Sequence, residues 1–254
     1  MEIDKIQYVS NYLQRVLFKL DFSPILLLVE GLNPAFQETL RRGKFPKFEE
    51  QNRVALQLDV QKEVKMDEMK KIYKVWNFEN KEKSYKIIVC SNYFALECFK
   101  YHHFEEFFDI LKSVFSSFYS FYKPLDCKRL GLRYINKIEI SEGHPLEWSE
   151  FITAPFTYSI EHFIGDNLEL SRAMSQFTLN RDNYNIIVNF GINNDEYPSR
   201  ISRKEFILDY DCYTQDVEEN SIEENIDKFH IEIQKLFENS VTDKLRNIME
   251  VKNV

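Results

Sequence analysis

The order of predicted secondary-structure elements repeats along the chain, and this repetition constrains the fold more than any motif does. Each half begins with a strand, Gln14–Phe22 in the first half and Cys127–Ile140 in the second. A helical stretch, a run of alternating strands and a long helix then follow in both halves. We therefore predict two tandem β-α-β-α repeats, over residues 1–124 and 125–254, that join edge to edge in one globular unit.

The predicted fold class is α+β, with one curved antiparallel sheet and helices packed on one of its faces. In the first strand Val16, Phe18, Leu20 and Phe22 alternate with more polar residues, which is typical of a half-buried strand. A unit of this kind buries one sheet face under its own helices and leaves the other face open. This element order resembles the tandem saddle of the TATA-box-binding protein and the helix-grip folds.

Several further elements follow from hydrophobic spacing. Alternation predicts strands over Arg53–Val60 and Tyr73–Asn80. The lysine- and glutamate-rich stretch Gln61–Lys74, which overlaps the start of the second strand, predicts a solvated excursion or a hairpin. Aromatic residues at three- and four-residue steps predict a helix from Phe104 to Tyr122 that packs on the sheet. We also expect one or two short helices after Ser23, interrupted at Gly31 and Pro34. A short helix at residues 144–152 and a closing helix over residues 226–249 complete the prediction.

Charge and composition restrict the environment and the partners of the protein. The 254 residues carry a net charge of -8, so the chain as a whole does not attract nucleic acid or anionic membranes. The longest apolar run, Pro24–Val29, is too short to span a bilayer, and the first residues lack the apolar core of a signal peptide. We expect a cytoplasmic protein whose four cysteines are reduced and buried.

Signatures of the common enzyme classes are missing from the sequence. It contains no GxSxG, HExxH, GxxxxGK[ST] or GxGxxG motif, so we expect no cofactor and no catalytic residues of those types. His102 and His103 lie where the aromatic helix begins, which favours a role in capping over a role as metal ligands.

Asp209 and Asp211 lie two residues apart in a predicted strand and therefore share one face. Paired carboxylates hold Mg²⁺ or act as acid and base in many sites, so the two residues are speculative ligand or metal contacts. The alternative is that they are charges on a solvated sheet face that pair with neighbouring cations.

A set of basic residues lies on the face opposite the core in the predicted strands. Its members are Arg15, Lys19, Arg53, Arg129, Arg133 and Lys137. A cationic stripe of this kind suits phosphate groups or an acidic protein surface. Alternatively, cross-strand ion pairs neutralise it, since four acidic residues share the same face: Asp21, Asp59, Asp209 and Asp211.

The string RLGLRYIN, at Arg129–Asn136, is the least generic part of the chain. Together with the segment around Trp76, the strand-to-helix entry from Tyr101 to Phe107 and the C-terminal FENSVTDKLRNIM, it resembles a sporadically distributed prokaryotic family without an established activity. The resemblance covers most of the chain and departs at its N-terminus. Within the signature, the matching positions suggest a binding role for Arg129, Arg133 and Asn136. The patchy distribution of the family implies mobile or defence-associated genes.

These observations favour a non-enzymatic binding or accessory protein that acts through an open sheet face or an edge strand. The expected partner is a protein encoded nearby or a second copy of the chain, in a prokaryotic defence or toxin–antitoxin-like system. One alternative is a small-ligand-binding protein or enzyme, with Arg133, Asn136, Asp209 and Asp211 around a cavity between sheet and helices. A second alternative is a nucleic-acid-binding saddle, which the acidic pI of about 5.3 disfavours.

Overall fold

The structure is a computed structural model that describes residues 6–56, 70–164 and 169–252. Nine strands and six helices lie in these three ranges. The strands are β1 (Leu13–Phe22), β2 (Lys47–Leu56), β3 (Lys70–Glu79), β4 (Tyr85–Cys90), β5 (Tyr93–Cys98), β6 (Cys127–Glu139), β7 (Ala173–Asn180), β8 (Asn185–Ile192) and β9 (Glu205–Gln215). The helices are α1 (Leu26–Glu30), α2 (Pro34–Arg42), α3 (Phe104–Tyr122), α4 (Ala154–Glu161), α5 (Ile222–Ser240) and α6 (Asp243–Met249).

The strands form one antiparallel sheet in the order β2-β3-β4-β5-β1-β6-β9-β8-β7. The α+β class and the antiparallel sheet are therefore confirmed, whereas the duplication remains a prediction. The chain divides into two compact units. Unit 1 comprises Met1–Val16, Gly131–Thr214 and Asn220–Val254, and unit 2 comprises Leu17–Leu130 and Gln215–Glu219.

Unit 2 has an aromatic core between its strands and the helices α2 and α3. The ring of Phe94 on β5 lies 5.0 Å from that of Phe118 on α3, and Phe18 on β1 lies 6.1 Å from Phe115. Phe36 of α2 contacts Phe118 at 5.9 Å, so both helices meet in one cluster. The aromatic stripe of the predicted helix is thus confirmed as core, because burial of large rings stabilises the packing more than exposure would.

Unit 1 packs α4 and α5 against β6, β8 and β9. The Phe156 ring of α4 lies 4.9 Å from Phe190 of β8, and the Tyr210 hydroxyl of β9 donates to Ser240 Oγ of α5 at 2.8 Å. The alternate residues of these strands point away from the helices, since successive side chains of a strand point to opposite sides. Among the described residues of unit 1, helices therefore cover one face of these strands, and no helix lies on the other.

Two sequence-based assignments differ from the structure, and a third agrees with it. The segment from His144 to Ile152 forms a series of turns instead of a helix, because Trp148 is buried and its indole nitrogen donates to the Pro145 carbonyl at 2.9 Å. The expected short helices after Ser23 are confirmed as α1 and α2, since Gly31 follows α1 and Pro34 begins α2 with Asn33 as its cap. Strand β2 is displaced toward the N-terminus of the predicted Arg53–Val60, and residues 57–69, which include most of the predicted excursion, lie outside the described residues.

The second face of β3, β4 and β5 in unit 2 is buried in part, contrary to the expectation of an open face. Val75, Cys90 and Ala95 point away from the helices, and none is more than 2% exposed. The sequence carries the reason, since the run from Ile87 to Cys90 is continuously apolar and does not alternate. Such runs are typical of strands that are buried on both faces.

Candidate functional site

The helix-free face of unit 1 brings together the largest group of residues that the sequence singled out. Arg133 and Lys137 on β6 point to this face, as do Asp209 and Asp211 on β9. Asn136 does not. Its side chain is buried on the helix side, where Nδ2 donates to the Leu208 carbonyl at 3.2 Å. Strand alternation places it opposite to Arg133, so it does not belong to this face, and the binding role that the sequence signature suggests for it stays a prediction.

A chain of polar side chains, which we call the polar ladder, crosses the four strands of this face. The Arg133 guanidinium donates from Nε and Nη2 to the two carboxylate oxygens of Asp209 at 2.7 and 2.6 Å. Asn189 Nδ2 on β8 donates to Asp209 Oδ2 at 3.0 Å, and Gln176 Nε2 on β7 donates to Asn189 Oδ1 at 2.7 Å. Each residue thus bonds to the next strand, in the register that pairs Asn189 with both Asp209 and Gln176.

The polar ladder changes from buried to exposed along its length. Asp209 is 5% exposed, whereas the side chain of Arg133 is 37% exposed and Gln176 is open to solvent. Hydrogen bonds from Arg133 to Asp209 raise the pKa of the arginine, and the nearby charge of Asp211 adds to this effect. A forked arginine–carboxylate pair has a fixed geometry, so the ladder presents its exposed groups in defined positions.

Lys137 is surrounded by acidic side chains at the far end of β6. Its ammonium lies 2.9 Å from Glu205, 3.1 Å from Asp195 and 3.2 Å from Glu139. The hydrogen bond to Glu205 is the main reason that the pKa of Lys137 is raised. Three carboxylates around one ammonium leave a local excess of negative charge, so this lysine does not present a free cation to a phosphate group.

The remaining members of the predicted cationic set occupy separate positions. Arg15 belongs to unit 1 and is partly exposed. Lys19, Arg53 and Arg129 belong to unit 2, where Lys19 lies 2.6 Å from Asp21 and 4.9 Å from the Tyr93 ring centroid. The alternative interpretation, in which ion pairs neutralise the set, therefore describes Lys19, Arg133 and Lys137. Asp59 lies outside the described residues.

The described residues do not offer a metal site. Across 6–56, 70–164 and 169–252, no three His, Cys, Asp or Glu side chains are grouped so that they could hold a metal ion. Both oxygens of Asp209 accept from Arg133, which explains why the Asp209–Asp211 pair is not free for a cation. His103 caps α3 by accepting from the Glu106 backbone N–H at 3.3 Å, and His230 lies 2.9 Å from the Tyr134 hydroxyl.

Sequence reasoning missed the amide side chains that extend the ladder. Asn189 and Gln176 are ordinary in composition, and only the register of β7, β8 and β9 aligns them with Asp209. It also missed Asn77 of β3 in unit 2, which is 2% exposed and whose two amide atoms have no hydrogen-bond partner within the part of the chain that the structure describes. An asparagine inside the apolar stretch around Trp76 was the available signal, since buried amides are normally paired.

Two cavities are lined by described residues. One, of about 540 Å³, lies between α2 and α3 in unit 2 and is lined by residues such as Leu40, Glu106 and Ser113. The other, of about 560 Å³, lies among the loops of unit 1 that carry His144, Glu169 and Arg200. Neither contains Arg133, Asn136, Asp209 or Asp211, so these cavities are not the sheet–helix pocket considered from the sequence.

Comparison with known proteins adds no family to these observations. No protein-family model matches the sequence, and no curated protein gives a significant match. The resemblance based on Arg129–Asn136 therefore stays a prediction. Among the described residues, no helix is long and apolar enough to cross a membrane.

Proposed function

We propose that this chain is a non-enzymatic binding protein that recognises another protein through the helix-free face of unit 1. The observation that carries the proposal is the polar ladder, which crosses four strands and ends in exposed Gln176. Its members are hydrogen-bonded to one another, so their geometry is fixed before a partner binds. Preorganised polar groups favour specific recognition because less conformational entropy is lost on binding.

The charge of this face favours a basic partner surface. Six carboxylates accompany three cations, with Arg133, Lys137 and Arg203 as the cations and Glu139, Asp195, Glu196, Glu205, Asp209 and Asp211 as the acids. Complementary charge mainly increases the association rate and the specificity of protein recognition. The same excess of negative charge argues against nucleic acid as the ligand, because phosphate binding requires available cations.

The biological setting rests on the sequence resemblance. The RLGLRYIN signature supports an accessory role in a prokaryotic defence or toxin–antitoxin-like system, with a neighbour-encoded protein as partner. Both halves run from a strand through short helices and a series of strands to a long helix, with four strands in the series from β1 to α3 and three in the series from β6 to α5, and this similarity supports tandem repeats as the origin of the fold. Both statements belong to the proposal.

The proposal is tested by reversing one charge on the face and an equivalent charge elsewhere. Asp211→Arg changes the face, and Glu224→Arg makes the same change on the exposed side of α5. Each variant is used to capture the product of the neighbouring gene, and the affinity is measured by calorimetry at two salt concentrations. We expect Asp211→Arg to weaken binding by about 10-fold or more, and Glu224→Arg to leave it within about 2-fold.

Equal affinity of both variants, or no binding of the neighbour-encoded protein, would refute the proposed face. Salt-dependent binding of the unmodified chain to single- or double-stranded nucleic acid would favour the saddle instead.

A further inference from the structure

Strand β7 is an edge strand without the usual protection against pairing. It lies at the end of the strand order, and none of its eight residues, AMSQFTLN, is charged or is proline. Five of the eight are exposed, including Met174 at 40% and Phe177 at 54%. Natural sheets normally block such edges with lysine, proline or a bulge, because an exposed edge invites another strand.

The opposite edge strand provides the comparison within the same chain. Strand β2, KFEEQNRVAL, carries Lys47, Glu49, Glu50 and Arg53 among its ten residues. Charges at this density disfavour pairing with a further strand, since like charges would meet and polar groups would be desolvated. The chain thus protects one edge and leaves the other uncharged.

The backbone hydrogen bonds between β7 and β8 show which backbone groups of β7 remain available to a further strand. The Arg181 N–H donates to the Tyr184 carbonyl at 2.9 Å, and the register continues from there to Ala173 opposite Ile192. Hydrogen-bonded pairs alternate in an antiparallel ladder, so the odd-numbered residues of β7 bond to β8. The N–H and C=O groups of Met174, Gln176 and Thr178 therefore point outward.

The β7 sequence is complementary to itself in one antiparallel register. When two copies are related by a two-fold axis at Phe177, the two Phe177 rings face each other as a non-hydrogen-bonded pair, and Gln176 pairs with Thr178 of the second copy. Beyond the strand ends, the same register brings Arg172, which donates to Asn193 of its own chain, toward Asp182 of the second copy, in the turn that follows β7, and the symmetry repeats this approach of opposite charges. Both residues are exposed and flank the strand.

We infer that the protein forms a homodimer by antiparallel pairing of β7 with β7 of a second copy, centred on Phe177. The pairing provides partners for the outward backbone groups, buries the exposed aromatic ring and matches opposite charges at both ends. It uses the edge of the sheet, so Gln176, at the outer end of the polar ladder, meets the second copy, whereas the part of the ladder's face on β6, β9 and β8 stays uncovered. The inference does not rest on the proposed function.

The oligomeric state and a charge-reversal cycle test the pairing. Sedimentation velocity of the full chain is expected to show a monomer–dimer equilibrium with a midpoint of about 1–100 μM, because eight residues per strand form a small interface. Arg172→Asp and Asp182→Arg are each expected to weaken the dimer by about 10-fold, since each places like charges opposite one another. Their combination restores the opposite charges and should return the midpoint to within about 3-fold.

Cysteine cross-linking tests the register independently. The four native cysteines are buried and free, so an introduced thiol at the edge reacts alone. Phe177→Cys is expected to form a disulfide-linked dimer under mild oxidation, because this position faces its own symmetry mate. Thr178→Cys is the matched control, which faces Gln176 and should remain uncross-linked. The inference would be overturned by a chain that stays monomeric at 200 μM. It would also be overturned by a dimer that is insensitive to the charge reversals and in which Phe177→Cys forms no disulfide. A monomeric chain that binds a foreign strand at β7 would do the same.

Discussion

Arg133→Met should destabilise the protein far more than Asp209→Asn, although both remove the same ion pair. The two partners differ in burial, since the Asp209 side chain is 7% exposed and that of Arg133 is 37% exposed. Arg133→Met leaves a buried carboxylate whose remaining side-chain donor in the ladder is Asn189. Asp209→Asn instead leaves a guanidinium that water can reach. Breaking a buried pair is costly mainly through the charge that stays behind.

The burial of each remaining group sets the expected magnitudes. For Arg133→Met, the free energy of unfolding should fall by about 3–5 kcal/mol, because an unpaired charge stays buried. For Asp209→Asn, the loss should be about 1–2 kcal/mol, since one charge-assisted hydrogen bond is lost and the arginine is hydrated. A chain of this length changes its Tm by about 2–4 °C per kcal/mol, so the two variants should be separable.

Urea unfolding followed by circular dichroism measures these differences, with Lys19→Met as the control. Lys19 pairs with Asp21 in unit 2, but both side chains are considerably exposed, so its replacement should cost less than about 1 kcal/mol. Equal losses for Arg133→Met and Asp209→Asn, or a larger loss for Asp209→Asn, would refute the argument that burial of the remaining charge determines the cost.

Two further predictions concern unit 2. Asn77→Leu should raise the free energy of unfolding by about 1–2 kcal/mol, because the native amide is buried without a hydrogen-bond partner among the described residues and leucine has the same branched shape. Unchanged or lower stability in thermal unfolding would contradict this. Burial, which is the main cause, raises the pKa of Tyr93 to about 12 from its ordinary value near 10. The protonated phenol therefore stabilises the fold fully below pH 10, and this contribution is lost as the pH rises from 10 to 12. Tyr93→Phe should flatten the fall in stability across that window, and an unchanged slope would show that other groups control it.

The positions of β1, β6, α3 and α5 were predictable because their side chains repeat with a clear period. Val16, Phe18, Leu20 and Phe22 alternate, and all four are buried. The aromatic helix has the predicted bounds, Phe104–Tyr122. Local periodicity determines these elements since one face of each must leave water. The segment around Trp148 has no such period, and turns satisfy its backbone instead.

Only part of the candidate site could be predicted from the sequence. The alternation of side chains along the strands correctly placed Arg133 and Asp209 on the face opposite the core, and it placed Asn136 in the core. Alternation does not indicate which cation forms an ion pair with which acid, because neighbours in a sheet depend on the register between strands that are distant in sequence. The pairing of Arg133 with Asp209 spans 76 residues.

The sequence by itself determined the class of fold, the strand faces and the lack of common catalytic motifs, because these depend on residue type and short spacing. Tertiary structure alone decided that the cations of the polar face are neutralised, that Asn189 and Gln176 join the ladder, and that β7 lies at an unprotected edge. The physical reason is that electrostatic and hydrogen-bond energies depend on distances of a few ångströms between separate strands. Strand order and register set those distances, and no local pattern in the chain encodes them.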